Sequence, residues 1–295
     1  MPVNAEMTRR GWLLFASMCV IWGIPYLLIR VAVRDLSPAM LVLGRTGVGA
    51  LLLLPLAAAR GEVAPVLRRW RGVLLFSAVE IAVPWLLLSD AEVRLSSSLT
   101  GLLIAAVPLV GALIVRERLG PASAAGLALG VVGVGALVGL DVGGANARSL
   151  AEIAVVVVCY AAGPIVLARY LSDLPSLGVI AVSLGAAALV YVPLGALSAP
   201  AELPSGKVLA SVLGLAVVCT ALAFLVFFAL IAEIGPVRAT VITYVNPAVA
   251  ALLGVAVLGE TFTAGMGVGF ALILAGSLLA TRPARAAPVE PEPAR

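Results

Sequence analysis

Apolar residues run along this chain for about twenty positions at a time, then give way to a few charged, Gly or Pro positions. A membrane-crossing helix needs about 20 mostly apolar residues, range 17–25. Ten runs fit that template: 11–33, 36–59, 72–89, 95–115, 119–140, 153–169, 174–199, 208–232, 239–259 and 261–281. The pattern predicts an all-α integral membrane protein with ten transmembrane helices. The loops are short, so no soluble domain interrupts the series. The first run is too long for a signal peptide, and no small-residue cleavage site with a polar mature start follows it. Residues 1–10 form an N-terminal segment. The Pro-rich, charged stretch RPARAAPVEPEPAR, residues 282–295, is expected to be a disordered tail.

Composition agrees. Of 295 residues, 62% are hydrophobic and 12% charged, against about 25% charged in a soluble domain. The net charge of +4 does not point to nucleic acid, because the basic residues are scattered between apolar runs. Their distribution orients the chain instead. Thirteen arginines fall on the side of the termini, from Arg9 and Arg10 to Arg295, and four basic residues (Arg34, Arg94, Arg148, Lys207) on the other. The positive-inside rule then places both termini in the cytoplasm, with the protein in the plasma membrane.

The two halves share a pattern. ERLGPASAAGLALGVVG, from Glu117, aligns without gaps with ETFTAGMGVGFALILAG, from Glu260, pairing Gly126 with Gly269 and Gly133 with Gly276. Ala91-Glu92 corresponds to Ala232-Glu233, and CVIWG (19–23) to CYAAG (159–163). Five spans per copy is odd, so the second copy enters the membrane upside down. The expected architecture is two inverted five-helix repeats, residues 11–140 and 150–281. Inverted repeats of this kind occur in secondary transporters, where rocking of one unit against the other alternates access to a central site.

Four stretches carry a resemblance to a known family: IWGIPYLLIR, SPAMLVLGRTGVGALLLLPLA, VPLVGALIVRERLG and VNPAVAALLGVAVLGETFTAGMGVGFALILAGSLL. On these the chain resembles the drug/metabolite transporter superfamily, specifically its EamA group, over nearly all of residues 11–281. The resemblance implies a central cavity and transport of small metabolites, and it implies a recurrent arginine at Arg45, after Ser37-Pro38. One departure stands out. Pro247 and Glu260 are 13 positions apart, whereas Pro108 and Glu117 are 9 apart, so the fourth span is expected to be about one turn shorter at its cytoplasmic end.

Glu80 stands in the middle of SAVEIAVPWLLLSD. A charge near the bilayer centre costs about 2.5–3.5 kcal/mol on insertion scales. Glu80 should therefore face a cavity or a partner, either as a proton-coupling carboxylate and ligand for a substrate amine, or as a helix tie. Arg45 cannot neutralise itself by losing a proton. It either serves substrate and gating or anchors helices, and a pair with Glu80 is open. Trp22, Tyr26, Trp85, Tyr160 and Tyr244 are aromatic candidates for cavity lining or for packing. Of these, Trp22 and Tyr26 share a helix face. Asn246 either satisfies the helix break made by Pro247 or holds substrate. Arg30 is expected to snorkel outward, and Glu117 and Glu260 to be helix-end residues. Pro25, Pro84, Pro108 and Pro164 mark expected hinges. Spacings such as Gly126-x3-Gly130 serve packing, within the monomer or across a homodimer.

No histidine is present, which removes the commonest metal ligand and neutral-pH proton carrier. Cys19, Cys159 and Cys219 lie in apolar runs and match no metal pattern. No Walker, dinucleotide or zinc-protease motif occurs, so no cofactor is expected. The reading is a secondary transporter that exports small organic metabolites such as amino acids. Trp22, Tyr26, Arg45, Glu80, Trp85 and Asn246 form its substrate site, and Glu80 couples protons. An intramembrane enzyme acting on a lipid, an uptake permease and a channel are the alternatives.

Overall fold

A computed structural model describes residues 7–114, 121–139, 147–239 and 241–280. Among these, ten apolar helices follow one another: α1 Arg9–Ala32, α2 Pro38–Ala59, α3 Trp70–Glu92, α4 Ser97–Ile114, α5 Pro121–Gly139, α6 Ala147–Tyr170, α7 Ser176–Leu197, α8 Gly206–Ile234, α9 Ile242–Leu258 and α10 Ala264–Ala280. Seven of them are long and apolar enough to cross a membrane. The described part of α5, with α9 and α10, is shorter. The 17 residues of α9 or α10 rise about 26 Å, just under a hydrocarbon core of about 30 Å.

The helix ends follow local chemistry. Thr8, Ser37 and Ser96 cap α1, α2 and α4 by accepting from the backbone N–H three residues on, at 2.9–3.2 Å. Gly259 ends α9 in the left-handed conformation, at φ 67°. Two prolines interrupt their helices as expected. α1 breaks at Trp22–Gly23 just before Pro25, and α4 breaks at Ala105–Ala106 just before Pro108. At Pro164 and Pro247 the helices continue through the ring.

Equivalent helices of the two halves pair with each other. α2 packs on α7, α4 on α9 and α5 on α10, while α1 meets α8 and α3 meets α6. The pairs run antiparallel. Ser37 donates to Ser198 at one end of α2–α7, and Glu62 accepts from the Gly178 N–H at the other. In α5–α10 the approach is backbone to backbone. A Cβ on Gly126 would stand 2.6 Å from the Gly276 carbonyl, and one on Gly133 would stand 2.8 Å from the Gly269 carbonyl. The sequence alignment equates Gly126 with Gly269 and Gly133 with Gly276. Each contact is thus the image of the other under a two-fold operation. The small residues are used inside the monomer.

Polar contacts tie the two ends of the bundle differently. At the end holding the α3–α4 loop, Arg94 and Arg148 pair with Asp90 and Glu152 through four contacts of 2.6–2.8 Å, joining α3 to α6. At the Thr8 end, the corresponding α8–α1 contact is one Thr8–Glu233 hydrogen bond of 2.6 Å and an Arg10–Glu233 pair at 3.9 Å. Glu260 is the helix-end residue the sequence suggested, with a defined job. Its carboxylate accepts from the N–H and hydroxyl groups of both Ser97 and Ser98 at 2.6–3.0 Å, covering the α4 N-terminus. Glu117, its repeat equivalent, and the cytoplasmic end of the fourth span lie outside the described residues.

Two stability predictions follow from this packing. Gly276→Ala places a methyl 2.5 Å from the Gly126 carbonyl, and overpacking of this kind costs about 1–3 kcal/mol. Gly135→Ala meets nothing within 4 Å and should leave stability unchanged. Thermal unfolding of the purified variants in detergent checks the contrast, and equal melting temperatures would refute the close packing. For Glu260, partial burial pushes the carboxyl up, but the hydrogen bonds from Ser98 and Ser97 outweigh it and hold the group below its ordinary value. A depressed carboxyl contributes stability above its ordinary value of about 4.3, and that contribution is lost as pH falls through the acid range. Glu260→Gln should cost about 1–2 kcal/mol near neutral pH, allowing for its partial exposure. It should also flatten the fall of melting temperature with acid. A variant as acid-sensitive as the parent would count against this.

Candidate functional site

Glu80 owes its position to a change of helix geometry. Residues Ser77–Ala82 of α3 form a π-helical stretch, followed by Pro84 at the start of the next α-helical segment. An i→i+5 stretch widens the helix and re-aims its side chains. The third helix of the second half has the same feature over Gly214–Leu222. Glu80 itself is half-buried, with Oε2 fully buried and without a hydrogen-bond partner among the described residues. The carboxyl lies on the bare backbone of Gly163 in α6, where any Cβ would collide with it. Cys159 and Tyr160 of α6 lie within its electrostatic range.

Arg45 sits in the buried middle of α2, 7% exposed. Its Nε donates to Thr220 Oγ1 at 2.9 Å, and its guanidinium carbon lies 3.6 Å from the centroid of the Trp85 ring. Thr220 belongs to the π stretch of α8 and donates in turn to the Leu215 carbonyl at 2.8 Å. Cation–π stacking and a charge-assisted hydrogen bond are the compensation a buried guanidinium needs. The two terminal amino groups of Arg45 make no hydrogen bond among the described residues. No ion pair joins Arg45 to Glu80. Tyr160 of α6 lies in the neighbourhood of both, and of the Trp85 indole. Tyr26, 8% exposed, is in range of Tyr160 and Arg45. The structure therefore gathers Tyr26, Arg45, Glu80 and Trp85 around Tyr160 and Thr220.

The other two candidates have packing contacts of their own. Trp22 stands at the α1 break, its ring 4.8 Å from Phe227 and 6.1 Å from Phe224, in a cluster formed by α1, α8 and α9. Asn246 is buried in α9, and with its amide turned to satisfy its neighbours it donates to the carbonyls of Cys19 and Ile242 at 3.0 Å each. The Cys19 carbonyl is the one freed by the α1 break, because the Gly23 N–H bonds to Val20 instead. Asn246 thus repairs a break in α1, while the sequence pointed only to the break at Pro247.

A second acid is buried at the end of α3: Glu92 is 0% exposed, and among the described residues neither carboxyl oxygen has a hydrogen-bond partner. The sequence placed it in a loop because the hydropathy of the third run falls at Ser89–Asp90, whereas the helix continues to Glu92. Its neighbour Arg30 turns its Nη1 to the Glu92 and Val93 carbonyls and closes the C-terminal end of α3, rather than ending in solvent. Thr220 and the π stretches were also missed. The repeated Ala-Glu dipeptides were the one signal that Glu92 was more than a loop residue.

The profile of the EamA-like transporter family matches the chain twice, over residues 9–139 and 149–282. No curated protein matches it. A solved structure titled "Crystal structure of protein" superposes with a TM-score of 0.65 at 22% identity, covering 92% of this chain and 96% of its own. That similarity speaks for the fold. With both halves matched, the chain belongs to the EamA-like transporter family and is a membrane transporter of the drug/metabolite superfamily.

Proposed function

We propose that the protein is a secondary transporter that exports small organic metabolites such as amino acids across the plasma membrane, by proton-coupled alternating access. The observation that carries this reading is that Arg45, stacked on Trp85, and Glu80, lying on the Gly163 backbone, each keep hydrogen-bonding capacity unspent among the described residues. The terminal amino pair of Arg45 fits a carboxylate in the bidentate manner. Glu80 suits an amine, or a proton when the site is empty. Trp85 and Tyr26 supply apolar faces between the two.

The groups come from α1, α2, α3, α6 and α8, so the site is shared by both halves and changes when they rock. Both ends carry contacts that such a cycle would have to break: Arg94–Glu152 and Arg148–Asp90, each 2.7 Å, cross between α3 and α6 at one end, and at the Thr8 end Thr8 donates to Glu233 at 2.6 Å while Arg69 pairs with Asp173 at 2.9 Å. With the termini in the cytoplasm, substrate loads through the Thr8 end. The monomer is the transport unit, since the α5–α10 glycines are consumed within it.

Purified protein in liposomes, screened with radiolabelled amino acids and cationic drugs with and without a pH gradient, tests the reading. Glu80→Gln should lose pH-driven flux by about tenfold or more yet retain counterflow exchange. Arg45→Lys should weaken binding of carboxylate substrates by about tenfold, because an ammonium cannot reproduce the stacked fork. A Glu80→Gln protein with unchanged pH dependence would remove the coupling role. Absence of flux for every solute, together with turnover of a lipid, would sink transport itself.

A further inference from the structure

The segment joining α2 to α3, residues 60–71, holds four arginines and one acid, Glu62. The end of α6 adds Arg169 and Asp173 at the same end of the bundle. Both acids are already engaged. Glu62 accepts from the Gly178 N–H at 3.0 Å, and Asp173 pairs with Arg69 at 2.9 Å. Arg71 and Arg169 make neither a hydrogen bond nor an ion pair among the described residues. Each lies instead over the exposed aromatic ring next to it in sequence. The Arg71 guanidinium carbon is 5.3 Å from the Trp70 centroid, and that of Arg169 is 5.6 Å from the Tyr170 centroid. Stacking holds a guanidinium by its face and leaves its N–H donors unspent.

The fold brings these two arginines to one corner. Gly72, next to Arg71, packs on the end of α6. A Cβ there would stand 3.1 Å from the Leu171 side chain and 3.4 Å from the Tyr170 Cβ. Arg69 donates to the Tyr170 carbonyl at 3.3 Å across the same junction. The start of α3 and the end of α6 therefore stand side by side, with two positive charges unmatched. Apolar surface adjoins them. Leu74 and Leu75 are exposed, and each follows Trp70 or Arg71 by four residues. They share that helix face and lie about 6 Å further along α3. Because α3 is long and apolar enough to cross a membrane, these leucines meet acyl chains where the helix end meets headgroups.

We propose that this corner binds one anionic phospholipid. Its phosphate accepts from Arg71 and Arg169, and an acyl chain lies along Leu74 and Leu75. Charge selects the occupant. A zwitterionic headgroup brings an ammonium up to two uncompensated guanidiniums, whereas phosphatidylglycerol brings the anion alone. The adjoining leucines suit a lipid rather than a free anion, which has no use for apolar surface. The site joins α3 of the first half to α6 of the second, and it does not depend on the roles of Arg45 and Glu80.

Native mass spectrometry tests the site without a transport substrate. The purified full chain is equilibrated in neutral detergent with equal amounts of dioleoyl phosphatidylglycerol and dioleoyl phosphatidylcholine, and the retained lipid is counted. The parent should retain one phosphatidylglycerol in preference to phosphatidylcholine by about tenfold or more. Arg71→Gln and Arg169→Gln should each lower that preference by about fivefold. Arg9→Gln removes the same charge at the same end, on α1, which packs against α8 and α9. It should stay within about twofold of the parent. All three arginines are exposed, and surface substitutions of this kind seldom disturb folding. A parent that shows no preference overturns the site. So does a fall in Arg9→Gln equal to that in Arg71→Gln, which would report a diffuse basic surface.

Discussion

Arg45 cannot shed its charge, and the middle of the molecule is arranged around that constraint. A lone guanidinium at this depth is among the most costly groups a membrane protein can hold. Its compensation comes from three helices at once: the Trp85 face from α3, the Thr220 hydroxyl from α8, and the rest of α2 around its stem. Each contribution needs further structure. Thr220 is aimed by a π-helical stretch, where it also bonds the Leu215 carbonyl five residues back. Trp85 follows a second π stretch and Pro84. The interaction that stabilises one side chain therefore fixes the relative placement of helices from both halves.

The halves share a skeleton and differ in chemistry. Each third helix carries a π stretch, each second helix pairs with its counterpart, and the α5–α10 glycines meet in crossed, symmetric contacts. Arg45 is the eighth residue of α2, and Ser183 is the eighth residue of α7. Around Ser183 the contact with the opposite third helix is made by a backbone carbonyl, which accepts from Ser77 at 2.7 Å. One half spends this position on a charge, and the other spends it on a hydrogen bond. A symmetric backbone is what alternating access between two ends requires, and the asymmetric filling gives the two halves different side-chain chemistry around the centre.

What could be read in advance was what hydropathy encodes. The long apolar runs, the internal repeat and the isolation of Glu80 and Arg45 are all written in residue type, and Tyr26 and Trp85 do join them. The π stretches have no such signature, since Ser77–Ala82 would read equally well as an ordinary turn of α-helix. Thr220 was therefore invisible as a partner for Arg45. Glu92 was misplaced for a related reason. Hydropathy marks where apolar character fades, whereas the helix ends where its hydrogen bonds end, and the two differ by three residues. Asn246 shows the limit of local reasoning most clearly. Its sequence neighbour Pro247 suggested one break, and its amide serves another, more than two hundred positions away.

The same limit explains how a carboxylate came to be tolerated at position 80. CVIWG and CYAAG align in the repeat, so Gly23 and Gly163 occupy equivalent points of the first helix in each half. A Cβ on Gly23 would stand about 2.5 Å from Val249, so that glycine lets α9 approach closely. Gly163 offers the same bare backbone, but α3 fills it with the Glu80 carboxyl rather than with an aliphatic side chain. The gap was required by the architecture before any chemistry was placed in it. A group that fits against backbone, is aimed by a π stretch and is left with an oxygen unpartnered has a position held by packing instead of by hydrogen bonds. The proposed coupling role requires a carboxyl held in this way, by packing rather than by hydrogen bonds.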